Sequence, residues 1–197
     1  MNNSETEQKI KEAARKVFRS KGFDAARTRD IAEMAGVNLA LINYYYKTKE
    51  ALFEEILEES LSNFRDVISN VLNDETSSVQ EKITKITDSY FEKFFHEPDL
   101  PLFIFQGVQN DREFLVKKIN PELLIHNSFF EKQLMEQGRK REDVEQIFLN
   151  MVSLIIFPFI GNSVFKNVCC IDSNEYQQLL KMRKKKIPKW IMTMFNL

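Results

Sequence analysis

The apolar positions of this chain recur at helical spacing almost from its start. Ser4-x-x-Glu7 reads as a capping box opening a first helix. Ile10, Ala13, Ala14, Val17 and Phe18 then follow at intervals of three and four. Gly22 is the expected stop, because glycine accepts a left-handed conformation at a helix C-terminus. Thr28 is the expected cap of a second, short helix carrying Ile31, Ala32 and Ala35, with Gly36 as the turn after it. Asn38 is the expected cap of a third, from Leu39 to about Tyr45. Thr48 opens a fourth, in which Leu52, Phe53, Ile56, Leu57, Leu61, Phe64, Val67, Ile68, Val71 and Leu72 keep the period. Such length predicts a helix that bridges two parts of the molecule.

Residues 73–78 (NDETSS) are a polar break. Val79, Ile83, Ile86, Tyr90, Phe91, Phe94 and Phe95 predict a fifth helix. His96 to Pro101 reads as a loop, and Leu102 to Gln109 as a short apolar helix. Asp111 to about Arg139 is expected to be helical, interrupted and restarted at Asn120-Pro121. Glu142 to about Phe165 is strongly apolar, with a kink expected at Pro158. Asp172 or Ser173 begins a last helix carrying Tyr176, Leu179, Leu180, Ile187, Trp190 and Ile191. No segment alternates like a strand, so the fold class is all-α.

Composition supports this pattern. The 197 residues include five Gly and five Pro, where average usage gives about 14 and about 10. A turn-rich β fold is thereby disfavoured, and scattered single glycines leave no phosphate-cradling loop. There is no GxSxG, HExxH or paired-Cys motif, so nothing points to an enzyme. His96 and His126 have no soft-ligand neighbours in sequence, which argues against a metal, and no cofactor is expected. Cys169 and Cys170 are adjacent and read as reduced packing residues. The polar N-terminus is no signal peptide. Met151 to Ile160 is the longest apolar run and too short to span a bilayer. The expected place is a reducing cytoplasm, with no membrane partner.

The three short helices between Ser4 and Tyr46 have the layout of a helix-turn-helix. The second and third are joined by a tight turn at Gly36-Val37. Ile31, Val37, Ile42 and Tyr46 have the spacing to form its small core. Period 3.6 cannot bury three tyrosines in a row, so Tyr46 is expected inside, and Tyr44 and Tyr45 outside. The stretch TRDIAEMAGVNLALINYYYKTKEAL, from Thr28 to Leu52, resembles the DNA-binding signature of the TetR family of bacterial transcriptional regulators. The likeness covers residues 1 to about 55, including Phe18, Gly22 and Phe23; beyond it only helical layout and length agree.

The resemblance implies roles for matching residues. Thr28 would cap the second helix and bond a phosphate, beside Arg29. Asn38, Leu39, Ala40 and Leu41 would begin the recognition helix. Tyr44 and Tyr45 would touch phosphate and thymine methyls, and Lys49 a phosphate. Leu39 stands where Lys or Arg is frequent, Ala40 for Gly and Asn43 for Tyr. Base readout would therefore lean on Asn38, thymine methyls and DNA shape.

The net charge of −1 conceals a split: residues 1–49 hold ten basic and six acidic groups. This supports a helix-turn-helix DNA-binding domain at 1–49 and a helical effector-binding and dimerisation domain at 50–197. By spacing alone, the aromatic residues of the second part read as core. The resemblance instead implies an effector held among them, with Tyr90, Phe94, Phe103, Gln106, Asn110, His126, Phe130 and Phe148 as candidate lining. The run Arg183 to Lys186 reads as a solvated helix end, with Glu142, Asp143 and Glu145 as an acidic surface it could meet.

The function expected is a homodimeric transcriptional repressor, joined through its last two long helices. It would bind a pseudo-palindromic double-stranded operator and leave it on binding a small apolar or aromatic effector. The alternatives are a transcriptional activator and a non-enzymatic helical ligand-binding or protein-interaction module.

Overall fold

The structure, a computed structural model, describes residues 3–119 and 124–197. The described residues are helices joined by turns, with no strand among them. They are α1 (Asn3–Ala25), α2 (Thr28–Ala35), α3 (Leu39–Tyr45), α4 (Lys49–Leu72), α5 (Val79–His96), α6 (Leu100–Asn110), α7 (Arg112–Ile119), α8 (Phe129–Glu136), α9 (Arg141–Ile160), α10 (Asn162–Cys169) and α11 (Ser173–Phe195).

The chain forms two compact units. One comprises Met1–Asn63 and Leu102–Lys118, the other Phe64–Pro101 and Ile119–Leu197. The unit holding the three short helices thus runs beyond residue 49, through the first part of α4, and gains α6 and α7 residues from much later in the chain. Helix α4 supplies residues to both units, as its length led us to expect.

In the first unit, Ile10, Ala14, Val17 and Phe18 of α1 are buried with Ile31, Ile42, Leu52, Phe53 and Ile56. Removing these apolar faces from water is what holds the short helices together, since helices this short are marginal alone. The Phe53 ring meets Phe18 and Phe103 edge-on, each at 5.1 Å. Val37, expected in the small core, is only half-buried.

In the second unit, α5, α8, α9 and α11 bury Ile83, Phe91, Phe130, Ile147, Ile155, Leu180 and Ile187 against one another. Phe159 packs its edge on Phe91 at 5.4 Å and Phe94 at 5.0 Å. The loop after α4 is closed from inside by Lys82, a fully buried lysine whose ammonium donates to the Ser77 carbonyl at 2.7 Å. Burial lowers its pKa.

Several sequence expectations need correction. The segment expected to run to about Arg139 is broken a second time: residues 125–127 form a turn, Asn127 is left-handed (φ 64°), and Ser128 caps α8. Residues 120–123, including Asn120 and Pro121, lie outside the described residues. The apolar helix is not merely kinked at Pro158; it ends at Ile160, and α10 begins at Asn162. Cys169 and Cys170 are exposed thiols rather than packing residues. Within the chain, Lys184 of the basic run is not simply solvated: it meets Asp88 (3.1 Å) and Glu92 (3.6 Å) on α5.

Helix α9 is also longer than the Met151–Ile160 run suggested. By length and composition it could cross a membrane, with a mean hydropathy of 1.5. A helix packed between others passes the same test, and α9 is buried on one side by α5, α8 and α11.

Candidate nucleic-acid interface

Helix α2 starts one residue later than the sequence suggested. Arg27 has extended backbone and is the N-cap, so Thr28 is the first helical residue rather than the cap. The cap is closed from the other side: the Arg27 amide donates to the Asp30 carboxylate at 3.3 Å. Lys21 meets the same carboxylate at 2.9 Å. The Lys21 bond, then that of Arg27, holds the Asp30 carboxyl below its usual pKa. At the other end Gly36 is left-handed (φ 65°, ψ 34°), and its amide returns to Ala32 and Glu33.

Helix α3 follows with Asn38 as its cap, the Oδ1 accepting from the Ala40 amide at 2.9 Å. One end of the Asn38 amide is therefore spent on starting the helix. Ile42 and Tyr46 turn inward, at 1% and 5% exposure. The opposite side carries Leu41 and Tyr44, the latter 73% exposed. Tyr45 is half-buried, rather than outside as expected, and sets its ring edge-on to Tyr44 at 5.3 Å. Thus α3 presents an apolar and aromatic surface with Arg29, Asn38, Ala40 and Lys47 exposed around it. Apolar and phenolic groups of this kind suit thymine methyls and phosphate oxygens.

The positive charge of residues 1–49 is less available than its count implies. Lys11 contacts Glu55 and Glu59 of α4, both at 2.7 Å, and Arg15 reaches Glu59 at 2.9 Å. Burial opposes the Lys11 charge, but the bonds to Glu55 and Glu59 outweigh it and raise its pKa. These two cations brace α1 against α4. Thr48 caps α4, its hydroxyl accepting from the Ala51 amide at 3.1 Å. Lys49 turns back onto α1: its Nζ donates to the carbonyls of Phe23 (2.9 Å) and Ala26 (3.3 Å).

The candidate effector residues are divided between the two units. Phe103 and Gln106 belong to the first unit. There Phe103 is buried against Phe53, and the Gln106 amide lies 3.3 Å from where a Gly22 Cβ would stand. Tyr90, Phe94, His126, Phe130 and Phe148 belong to the second unit. Tyr90 stacks edge-on to Phe94 at 5.6 Å, and His126 meets Glu131 at 3.2 Å. The side chain of Asn110 lies outside the described residues. The Tyr90 phenol is enclosed, and that burial raises its pKa.

The comparisons agree with this geometry. The family model for bacterial regulatory proteins of the tetR family matches residues 10–56, which contain α2, α3 and the start of α4. The chain is similar to YttP of Bacillus subtilis, a probable HTH-type transcriptional regulator, at 26% identity over 97% of this chain and 94% of that one. It is 33% identical to the HTH-type transcriptional repressor NicS of Pseudomonas putida over 43% of this chain and 42% of that one. Its fold is that of the TetR-family regulator PfmR of Thermus thermophilus, with a TM-score of 0.64, 18% identity, and coverage of 92% and 97%. The recognition helix, the match spanning it and a relative alignable along nearly the whole chain agree on one conclusion: this protein is a DNA-binding transcriptional regulator belonging to the TetR family.

Proposed function

We propose that the protein is a repressor that binds a pseudo-palindromic operator as a homodimer and is released by a small apolar or aromatic effector. The observation that carries the reading is the outward side of α3, where Tyr44 is 73% exposed on a short, well-capped helix. The contact set we assign is Thr28, Arg29, Asn38, Leu39, Ala40, Leu41, Tyr44 and Tyr45. The repressor relative NicS supports the direction of control. No step of this function calls for enzymatic chemistry, and its place is the cytoplasm, where DNA is.

Dimerisation is assigned to α9 and α11. Leu149 and Phe157 of α9 are 58% and 59% exposed, and Met182 of α11 is 57% exposed. Large apolar groups in such number on the two longest helices of this unit suit a self-complementary interface. Residues 1–49 serve as the reading part and the remainder as the effector and dimerisation part. Tyr90, Phe94, Phe130 and Phe148, with His126 as a polar handle, are the assigned effector surroundings. A ligand favouring one spacing of the two reading helices lowers DNA affinity by the difference in its affinity for the two states.

The test is a mobility-shift titration with the upstream region of its own gene. We expect a shift abolished by Phe157→Glu, with a monomer in sedimentation. A shift that survives in a monomeric variant with unchanged affinity would reject the dimer, and no specific shift would reject the operator reading.

A further inference from the structure

We propose that Lys49 is a positioning residue: its ammonium closes the C-terminal end of α1 and so fixes how α2 and α3 are presented to DNA. This replaces the phosphate contact implied by family resemblance. It rests on the DNA-reading role of α3.

The placement of Lys49 is otherwise unexpected. It is the first residue of α4. A cation there opposes the helix dipole, whose N-terminal end is already positive. The opposite need exists at the end of α1, whose last turn holds no basic residue. The chain also leaves helical geometry at Gly22 (φ 77°, ψ 166°). Carbonyls beyond such a break lose their regular amide partners and require others.

Lys49 supplies them. Its Nζ donates to Phe23 O at 2.9 Å and to Ala26 O at 3.3 Å, and lies 4.1 Å from the centre of the Phe23 ring. Two of three ammonium donors are thereby spent. The charge meets the negative end of one helix and the negative face of one ring. The Phe23 ring rests in turn on Phe53 of α4, 4.7 Å away. Ala26 is 2% exposed and directly precedes Arg27, the N-cap of α2. One side chain thus joins the first residue of α4 to the segment that sets the start of α2. Drawing the ammonium onto a phosphate would strand both carbonyls, at a cost comparable to what the phosphate returns.

The experiment uses the full-length protein and a duplex that the unmodified protein selects from a random-sequence pool. Affinity is measured against salt for Lys49→Met and Phe23→Leu. We expect each variant to bind more weakly, Lys49→Met by on the order of tenfold, with the slope of log affinity against log salt unchanged. The double variant is expected to bind no more weakly than Lys49→Met, because both changes dismantle one contact. A fall in slope of about one per protomer in Lys49→Met would assign a phosphate contact and overturn the proposal. Phe23→Leu keeps the lysine and both carbonyls, and serves where the methionine variant does not stay folded.

A second arm needs no DNA. Amide hydrogen exchange in the unbound protein should quicken from Ala26 to Asp30 in Lys49→Met, and unchanged exchange there would overturn the proposal. If no duplex is selected, the DNA-reading role fails, while the exchange arm still decides what Lys49 does.

Discussion

The Nε of Arg183 donates to the carbonyl oxygen of Leu154 at 3.0 Å. That carbonyl lies four residues before Pro158, which has no amide to offer it. A side chain from α11 therefore repairs the bond that a proline removes from α9. A second α11 side chain serves a different carbonyl near the end of α9: the Tyr176 hydroxyl donates to Pro158 O at 2.8 Å. The Arg183 guanidinium also lies over the Trp190 ring, 5.2 Å from its centre. We expect Arg183→Leu to destabilise the protein by roughly 1–2 kcal/mol in urea denaturation. In a Pro158→Ala background the cost should shrink, because the alanine amide can satisfy Leu154 itself. Equal costs in both backgrounds would mean that the arginine acts elsewhere.

Tyr44 and Leu41 stand outside the core, so their loss should separate binding from stability. Tyr44→Ala is expected to change the stability measured in urea denaturation by no more than is usual for surface changes, about 0.5 kcal/mol. It should weaken operator binding at least several-fold in a mobility-shift assay. Ile42→Ala, at the buried side of the same helix, should do the reverse and cost about 2–5 kcal/mol of stability.

Gly22 and Gly36 both have positive φ, but they are not equivalent. A Cβ at Gly36 would meet nothing within 4 Å, so Gly36→Ala carries backbone strain alone, roughly 1 kcal/mol. At Gly22 the backbone lies in a region nearly confined to glycine, and a Cβ would also press on Gln106 at 3.3 Å. Gly22→Ala should cost more, on the order of 1–3 kcal/mol, measured by denaturant midpoints.

Asp74 gives the protein an acid-side dependence. Its carboxylate accepts from the Ser77 hydroxyl, from the Thr76 hydroxyl and amide at 2.6 Å and 3.0 Å, and from Lys85 at 2.9 Å. The Ser77 bond, then those of Thr76 and Lys85, holds its pKa far below the carboxylate range. A carboxyl depressed on folding stabilises fully above its unfolded pKa, about 3.9, and loses that contribution as pH falls further. Melting temperature should therefore be flat near neutrality and fall below about pH 4. Asp74→Asn should lower the neutral plateau and flatten the acid limb; an unchanged limb would place the effect on other carboxylates.

The helices were legible because their period is local. Ile10 to Phe18 and Ile83 to Phe94 each bury the face that their spacing marks, and in the last helix Tyr176, Leu180, Ile187 and Ile191 do so while Leu179 is exposed. The contrast between Tyr46 and Tyr44 followed from the same arithmetic, although Tyr45 fell between them. What sequence could not show depended on partners distant along the chain. Lys49 carried only an expected phosphate contact, and its bonds to Phe23 and Ala26 join residues more than twenty positions apart. Lys11 and Arg15 counted as free charge until Glu55 and Glu59 were found opposite. Phe103 and Gln106 looked like residues of the second part, yet fold with the first. The α2 cap misled because Thr28 is a good capping residue, whereas Asp30 caps from within the helix.

The bracing of Lys11 and Arg15 by α4 bears on how such a regulator searches a chromosome. The first unit as a whole holds thirteen basic and thirteen acidic side chains. It has no net charge with which to cling to arbitrary sequence. Its charges are sorted instead, with Arg27, Arg29 and Lys47 around the short helices and Glu50 to Glu59 along α4. A neutral body with sorted charge is turned by a polyanion more than it is held by one. On the reading proposed for α3, time spent on the wrong sequence is expected to be short, with residence left to the fit of that helix.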